Sequence, residues 1–320
     1  MKLKAMYSFL NADLQLVEKE LEAAMQSDYS LLSEAALHLL QAGGKRIRPV
    51  LVLLAGKFGD YDIERIKHVA VALELIHMAS LVHDDVIDDA EMRRGRPTIK
   101  AKWSNRFAMY TGDYIFARSL ELMSRLDNPL AHRILARTIV EVCRGEIEQI
   151  KDKYRFDQKL RSYLRRIRRK TALLIAVSCQ LGAIAANAPQ EVADRLYLFG
   201  YYVGMSFQIT DDILDFVGTE EQLGKPAGSD LLQGNVTLPA LFAMEDRHVK
   251  EKIVSVHPHT PASEMSDIIS RIKETGAIEK SYALSDRYLQ KAFAVLETLP
   301  KNKARSTLYN VAKYIGKRKF

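Results

Sequence analysis

The sequence predicts an all-α protein folded as a single domain over residues 1–320, and three observations carry that prediction. Apolar residues recur with helical period through nearly every stretch. No polar–apolar alternation runs long enough to require a sheet. Glycine and proline fall between the periodic stretches, at Gly43-Gly44, Gly95 to Pro97, Pro129, Pro189 and Gly224 to Gly228, so they end helices instead of interrupting them. The period places helices at 12–25, 30–43, 47–58, 63–90, 104–126, 129–153, 159–187, 190–217, 236–246, 262–275, 280–297 and 302–315. No low-complexity linker divides the chain.

A hydrophobic content of 48% with 27% charged residues fits a soluble globular protein. The formal charge of +7 favours polyanionic ligands without naming one. Cys143 and Cys179 lie in apolar helical contexts with neither metal nor disulfide spacing, which points to a reducing, cytosolic setting. The opening MKLKAMYSFLNADL lacks the apolar core of a signal peptide. Thr171 to Gln190 carries no Asp, Glu, Lys, Arg or His, but its Ser178, Gln180, Asn187 and small residues mark a buried core helix, not a membrane span.

The helix expected at 63–90 ends in Asp84, Asp85 and Asp88, in the order DDxxD, and the order returns at Asp211, Asp212 and Asp215. On a helix, residues four apart share a face. Like charges at that spacing repel by a few tenths of a kcal/mol, so helix stability does not favour the arrangement. Both copies sit among apolar residues, and buried carboxylates need cations or hydrogen-bond donors. Mg²⁺ meets that need, since it binds through one or two carboxylates plus substrate phosphates.

Basic residues lie where a phosphate would want them. GGKRIRP sets Lys45, Arg46 and Arg48 at a helix N-terminus, whose free N–H groups suit a phosphate. His77 stands two turns before Asp84 on the same face, and Ala79 and Ser80 leave room beneath the acidic end. Arg93 and Arg94 follow the helix as forked donors. Asp113 precedes an apolar run and reads as a cap. RSYLRRIRRK, Arg161 to Lys170, reads as a solvated or partner-facing basic face with no aromatic platform for nucleic acid. Lys170 and Thr171 stand where that run enters the buried helix. Gln208 shares a face with Asp211, and Lys225 lies in the Gly-rich loop GKPAGSD as a phosphate clamp.

Taken together and in order, GGKRIRP, SLVHDDVIDDAEMRRGRPT, GDY, KT, FQITDDILDF and GKPAGSD resemble the trans-isoprenyl diphosphate synthases across nearly the whole chain. Within that family the text is most similar to the large catalytic subunits of two-component, long-chain enzymes that make menaquinone side chains. The resemblance implies an all-α bundle around a deep central cavity, with the two acidic motifs facing each other at its mouth. It implies that Asp84, Asp88 and Asp211 hold Mg²⁺ and that Asp85, Asp212 and Asp215 support them. It assigns Arg93, Lys170, Thr171, Gln208 and Lys225 to the allylic diphosphate, and Lys45, Arg48, His77 and Arg94 to isopentenyl diphosphate. It makes Ala79 and Ser80 the positions that permit a long product, with Ile76 and Ala72 further along the tunnel. Asn235 departs from the pattern, because many relatives carry lysine there.

The same resemblance implies a small non-catalytic partner subunit or a homodimer, a cytoplasmic enzyme, and transient membrane contact as an apolar product leaves. Two rivals keep the fold. A terpene cyclase needs no second diphosphate site, which GGKRIRP, His77 and Arg94 argue against. A non-catalytic regulatory subunit has no use for intact acidic motifs.

Overall fold

A computed structural model describes the chain apart from residues 1–2, 224–225 and 317–320, with the backbone alone at Lys4, Gln222 and Leu223. Lys225, the expected phosphate clamp, and all of the basic tail beyond Gly316 lie outside the described residues. The all-α expectation holds. Among the described residues the only strands are two two-residue pieces, Met92–Arg93 and Arg96–Pro97.

The Cα positions group into two compact units. The first comprises Met1–Leu135, Ser178–Leu196 and Pro300–Leu308. Its centre is the helix Ile63–Ile87, started by the Asp62 carboxylate, which accepts from the Glu64 N–H. That helix packs along Asn105–Met123, Ile47–Gly56 and Asn11–Ala24. Ile47–Gly56 is apolar apart from Arg48, and Pro49 to Gly56 are all buried. Proline in its first turn removes no helical hydrogen bond. Leu21, Leu51, Leu53, Leu54, Ile66, Leu73 and Leu75 fill the centre.

The second unit comprises Ala136–Val177, Tyr197–Leu299 and Tyr309–Phe320. Its core gathers Tyr163, Ile167, Ala172, Met205, Ile209, Ile213 and Phe216 with Leu231, Leu238, Ile253, Ile268 and Ile272. Four of these, Met205, Ile209, Ile213 and Phe216, are one apolar stripe of the helix Gln190–Val217.

Several expectations change. The helix expected at 159–187 is three pieces: Leu160–Ile167, a π-helical turn at Arg168–Ala172, and Leu173–Ala185. Thr171 to Ala186 is buried except for Gln180, as a core helix should be. No helix among the described residues is long and apolar enough to cross a membrane. Arg247–Val254 is an additional helix, capped by Asp246, whose carboxylate accepts from the His248 and Val249 N–H groups. Cys143 is exposed, not apolar-buried, while Cys179 is buried.

Candidate active site

The first acidic motif closes the helix Ile63–Ile87. Asp88 is its C-cap, and its N–H still donates to the Asp84 carbonyl at 2.8 Å, so Asp84 and Asp88 keep the one-turn spacing. Both are partly exposed. Asp85 is buried, and Arg93 donates to its Oδ1 through Nε and Nη2, each at 2.8 Å. Burial raises the Asp85 carboxyl above its ordinary range, and the Arg93 guanidinium opposes the rise. Asp89, beside the motif, is tied to the buried Lys100 ammonium, which also holds Glu91 at 2.7 Å.

The two strands form an antiparallel hairpin in which Met92 faces Pro97 and Arg93 faces Arg96. Arg94 and Gly95 make its two-residue turn, both with positive φ (53° and 75°), as a type I′ turn requires. The hairpin was not legible from alternation because each strand is only two residues long. It fixes where Arg93 and Arg94 go. Arg93 turns back to Asp85, and Arg94 reaches the Gly43 carbonyl through Nη1. The structure thus brings GGKRIRP and RRGRP together.

The basic residues of GGKRIRP divide. Arg46 is a brace: it donates to Glu18 Oε1 at 2.7 Å, to the Leu40 carbonyl at 3.2 Å and to Glu74 Oε1 at 3.3 Å. Arg48 has a buried Nε without a hydrogen-bond partner among the described residues. Burial lowers its pKa, as does Arg94, against the pull of Glu74. Lys45 is exposed. His77 lies among these cations, and burial followed by Arg48, Arg94, Arg93 and Arg46 drives its pKa well below the ordinary value. It is neutral near pH 7. Ser80 donates to the His77 carbonyl at 2.7 Å and Ala79 is buried.

In the second unit, Asp211 is partly exposed while Asp212 and Asp215 are buried. Asp212 accepts from Tyr163 Oη at 2.7 Å and from Gln208 Nε2 at 2.8 Å. Thr171 Oγ1 donates to Gln208 Oε1 at 2.5 Å. Burial pushes the Asp212 carboxyl up to about 7, with Asp230 and Asp211 adding and the two donors opposing. Asp215 accepts from the Asp230 N–H at 3.2 Å and from Ser229 Oγ at 3.3 Å, which ties down Ser229 and Asp230. Asn235 is partly buried and donates its N–H to the Asp230 carbonyl at 2.8 Å. Lys170 donates to Gln149 Oε1 at 3.0 Å.

Two readings of charged residues are corrected. Asp113 is no cap; it lies inside the helix Asn105–Met123, 3.2 Å from His83 Nε2. The basic face is only partly solvated. Arg166 is buried, donating to the Val236 carbonyl at 2.5 Å and to Gln158 at 2.6 Å, and Arg169 pairs with Glu141 and Glu148. Sequence spacing cannot distinguish an arginine with buried acceptors from one in water. Tyr163 and Glu74, which hold site residues, were not singled out from sequence, since an aromatic or acid inside a helix carries no local signature.

Among the described residues no three of His, Cys, Asp and Glu converge as a metal cage. Asp84 and Asp88, partly exposed and one turn apart on one helix, are the kind of carboxylates Mg²⁺ takes, while Asp85, Asp212 and Asp215 each accept from donors of their own.

Comparison with known proteins gives the family. The chain is 75% identical over 320 residues, the full length of both, to heptaprenyl diphosphate synthase component 2 of Geobacillus stearothermophilus. It superposes with a TM-score of 0.93 on the crystal structure of heptaprenyl diphosphate synthase from Staphylococcus aureus, at 44% identity, covering 97% of this chain and 98% of that one. A polyprenyl synthase from Caulobacter crescentus, crystallised with calcium and isoprenyl diphosphate, gives 0.93 at 31% identity, covering 99% and 98%. Residues 29–272 match the polyprenyl synthetase family, and the chain belongs to that family as a prenyltransferase of the long-chain trans type.

Proposed function

We propose that the chain is the catalytic subunit of a two-component heptaprenyl diphosphate synthase, extending an allylic diphosphate such as farnesyl diphosphate with isopentenyl diphosphate for menaquinone side chains. The observation that carries this reading is the division of the six aspartates. Asp85, Asp212 and Asp215 are buried and hydrogen-bonded, whereas Asp84, Asp88 and Asp211 are partly exposed. Asp84, Asp88 and Asp211 would hold Mg²⁺ on the allylic diphosphate, with Arg93, Lys170, Thr171, Gln208 and Lys225 as further contacts. Lys45, Arg48, His77 and Arg94 would take isopentenyl diphosphate. The buried, unpartnered Arg48 Nε supports an anion there, since such a donor is costly until it is met.

Bound Mg²⁺ would neutralise charge on the departing diphosphate. The C–O bond of the allylic substrate breaks, the double bond of isopentenyl diphosphate forms the new C–C bond, and a proton leaves to the released diphosphate. The Thr171 hydroxyl hydrogen is committed to Gln208, so that residue offers its oxygen lone pairs to the developing cation. Burial around these groups excludes water that would quench it. The names of its relatives support a partner subunit, the component 1 that "component 2" implies.

A prenyl-transfer assay tests this. The purified chain receives Mg²⁺, farnesyl diphosphate and labelled isopentenyl diphosphate, with and without the small subunit of a relative. Heptaprenyl product that needs the second protein is the expected result. Long-chain product from the chain alone refutes the two-component part. No incorporation in either arm refutes the catalytic reading.

A further inference from the structure

Tyr163 is fully buried, and its hydroxyl donates to Asp212. Thr171, eight residues on, reaches the same carboxylate through Gln208. Two side chains of one helical segment therefore grip one aspartate, at Oδ2 and, through an amide, at Oδ1. In an unbroken α-helix residues eight apart point about 80° apart. Thr171 lies inside the π turn at Arg168–Ala172, whose wider ring takes in one extra residue on the way from Tyr163. An eight-residue step then comes closer to the two-turn repeat of about seven residues, which sets both side chains toward the helix Gln190–Val217. Gly204 reinforces the approach: a Cβ there would lie 2.5 Å from the Ala172 Cα, so the backbones meet at the π turn.

We propose that Tyr163 is a positioning residue for the second acidic motif, and that the π turn is the device that lets one segment hold Asp212 from both sides. The inference rests on the reading that this motif serves Mg²⁺. Asp212 is the inward neighbour of the partly exposed Asp211, so gripping it fixes the rotation of the helix that presents Asp211. Burial and the Asp212 carboxylate push the phenol well above its usual range, so its hydroxyl remains a donor.

The test is Tyr163→Phe in the full chain, which keeps the ring and removes only the donor. Calorimetry measures Mg²⁺ affinity in the presence of farnesyl diphosphate, and melting without metal reports the fold. Losing this one hydrogen bond should lower the affinity by several-fold, up to about tenfold, while KM for isopentenyl diphosphate stays within about twofold. Thr171→Val gives the second arm, and Tyr163→Phe should add less in that background than in the parent, because both act through Asp212. Unchanged Mg²⁺ affinity in Tyr163→Phe overturns the proposal. So does a loss matched by collapse of the near-UV circular dichroism, which would make the tyrosine merely structural. Absence of Mg²⁺ binding by the unmodified chain overturns the reading of the motif itself, and the positioning role with it.

Discussion

Gly44 offers a perturbation whose effect follows from the side chains around it. A Cβ at this residue would lie 2.7 Å from Arg94 Nη1 and 3.3 Å from both Arg94 Cζ and Arg46 Nη1. These atoms are the far ends of long side chains, so Gly44→Ala displaces guanidinium groups, in addition to the backbone strain that a Cβ meets at its φ of +159°. Arg94 must retreat by several tenths of an ångström, which draws it from the Gly43 carbonyl. Losing one hydrogen bond from a charged donor that positions the guanidinium is worth about 1.5–3 kcal/mol, a factor of about 10 to 150 in affinity. With Arg94 on isopentenyl diphosphate, KM for that substrate should rise at least about tenfold, while KM for the allylic substrate holds. Gly43→Ala is the control. Its φ of +74° strains any residue with a Cβ, at about 1–2 kcal/mol of stability, but no atom lies within 4 Å of the new methyl. Steady-state kinetics with each substrate varied, alongside thermal melts, separates the two variants. An unchanged isopentenyl diphosphate KM in Gly44→Ala, or identical behaviour of the pair, refutes the reasoning.

Ser80→Phe fills the space beside His77 and should shorten the product, read by chromatography of the dephosphorylated prenols; the same length as the parent would refute it. Arg166→Ala strips the buried Val236 carbonyl and Gln158 of their donor and should cost about 3 kcal/mol, several degrees of melting temperature, where Arg161→Ala at an exposed position changes little. The depressed pKa of His77 means that the unfolded chain takes up a proton that the folded chain refuses. Stability of the ligand-free protein should therefore fall as pH drops from about 7 toward 5, and His77→Gln should flatten that slope in denaturant melts.

What sequence could read followed from patterns that are local. Helical period and glycine–proline punctuation located Gln190–Val217 to the residue and placed the start of Ile63–Ile87, where Asp62 provides the cap. DDxxD was legible because its chemistry contradicts its surroundings. The π turn was not, since one inserted residue leaves composition and period nearly unchanged while it re-aims Lys170 and Thr171. Nor was the hairpin, whose two-residue strands fall below any alternation window; only Arg-Gly at its turn hinted at positive φ. Spacing also failed to separate Arg46, committed to Glu18 and Glu74, from Arg48, whose Nε has no such partner. That difference is made by acids distant in sequence.

The chain order of the two compact units bears on how this protein is made. The first unit is assembled from residues that begin before Leu135, resume at Ser178 and end with Pro300–Leu308; the second waits for Tyr309 onward. A ribosome delivers residues in sequence, at roughly 5–20 per second, and domains usually fold as they emerge. Here neither unit owns all its parts until nearly the last helix, Lys303–Gly316, has left the exit tunnel. The face of Ile47–Gly56 at Val52, which the Gly182 backbone approaches, must then wait roughly 6–26 seconds for that neighbour to be made. Such a nascent chain is a natural client for a holding chaperone, and slowing translation would lengthen its exposure instead of helping it fold.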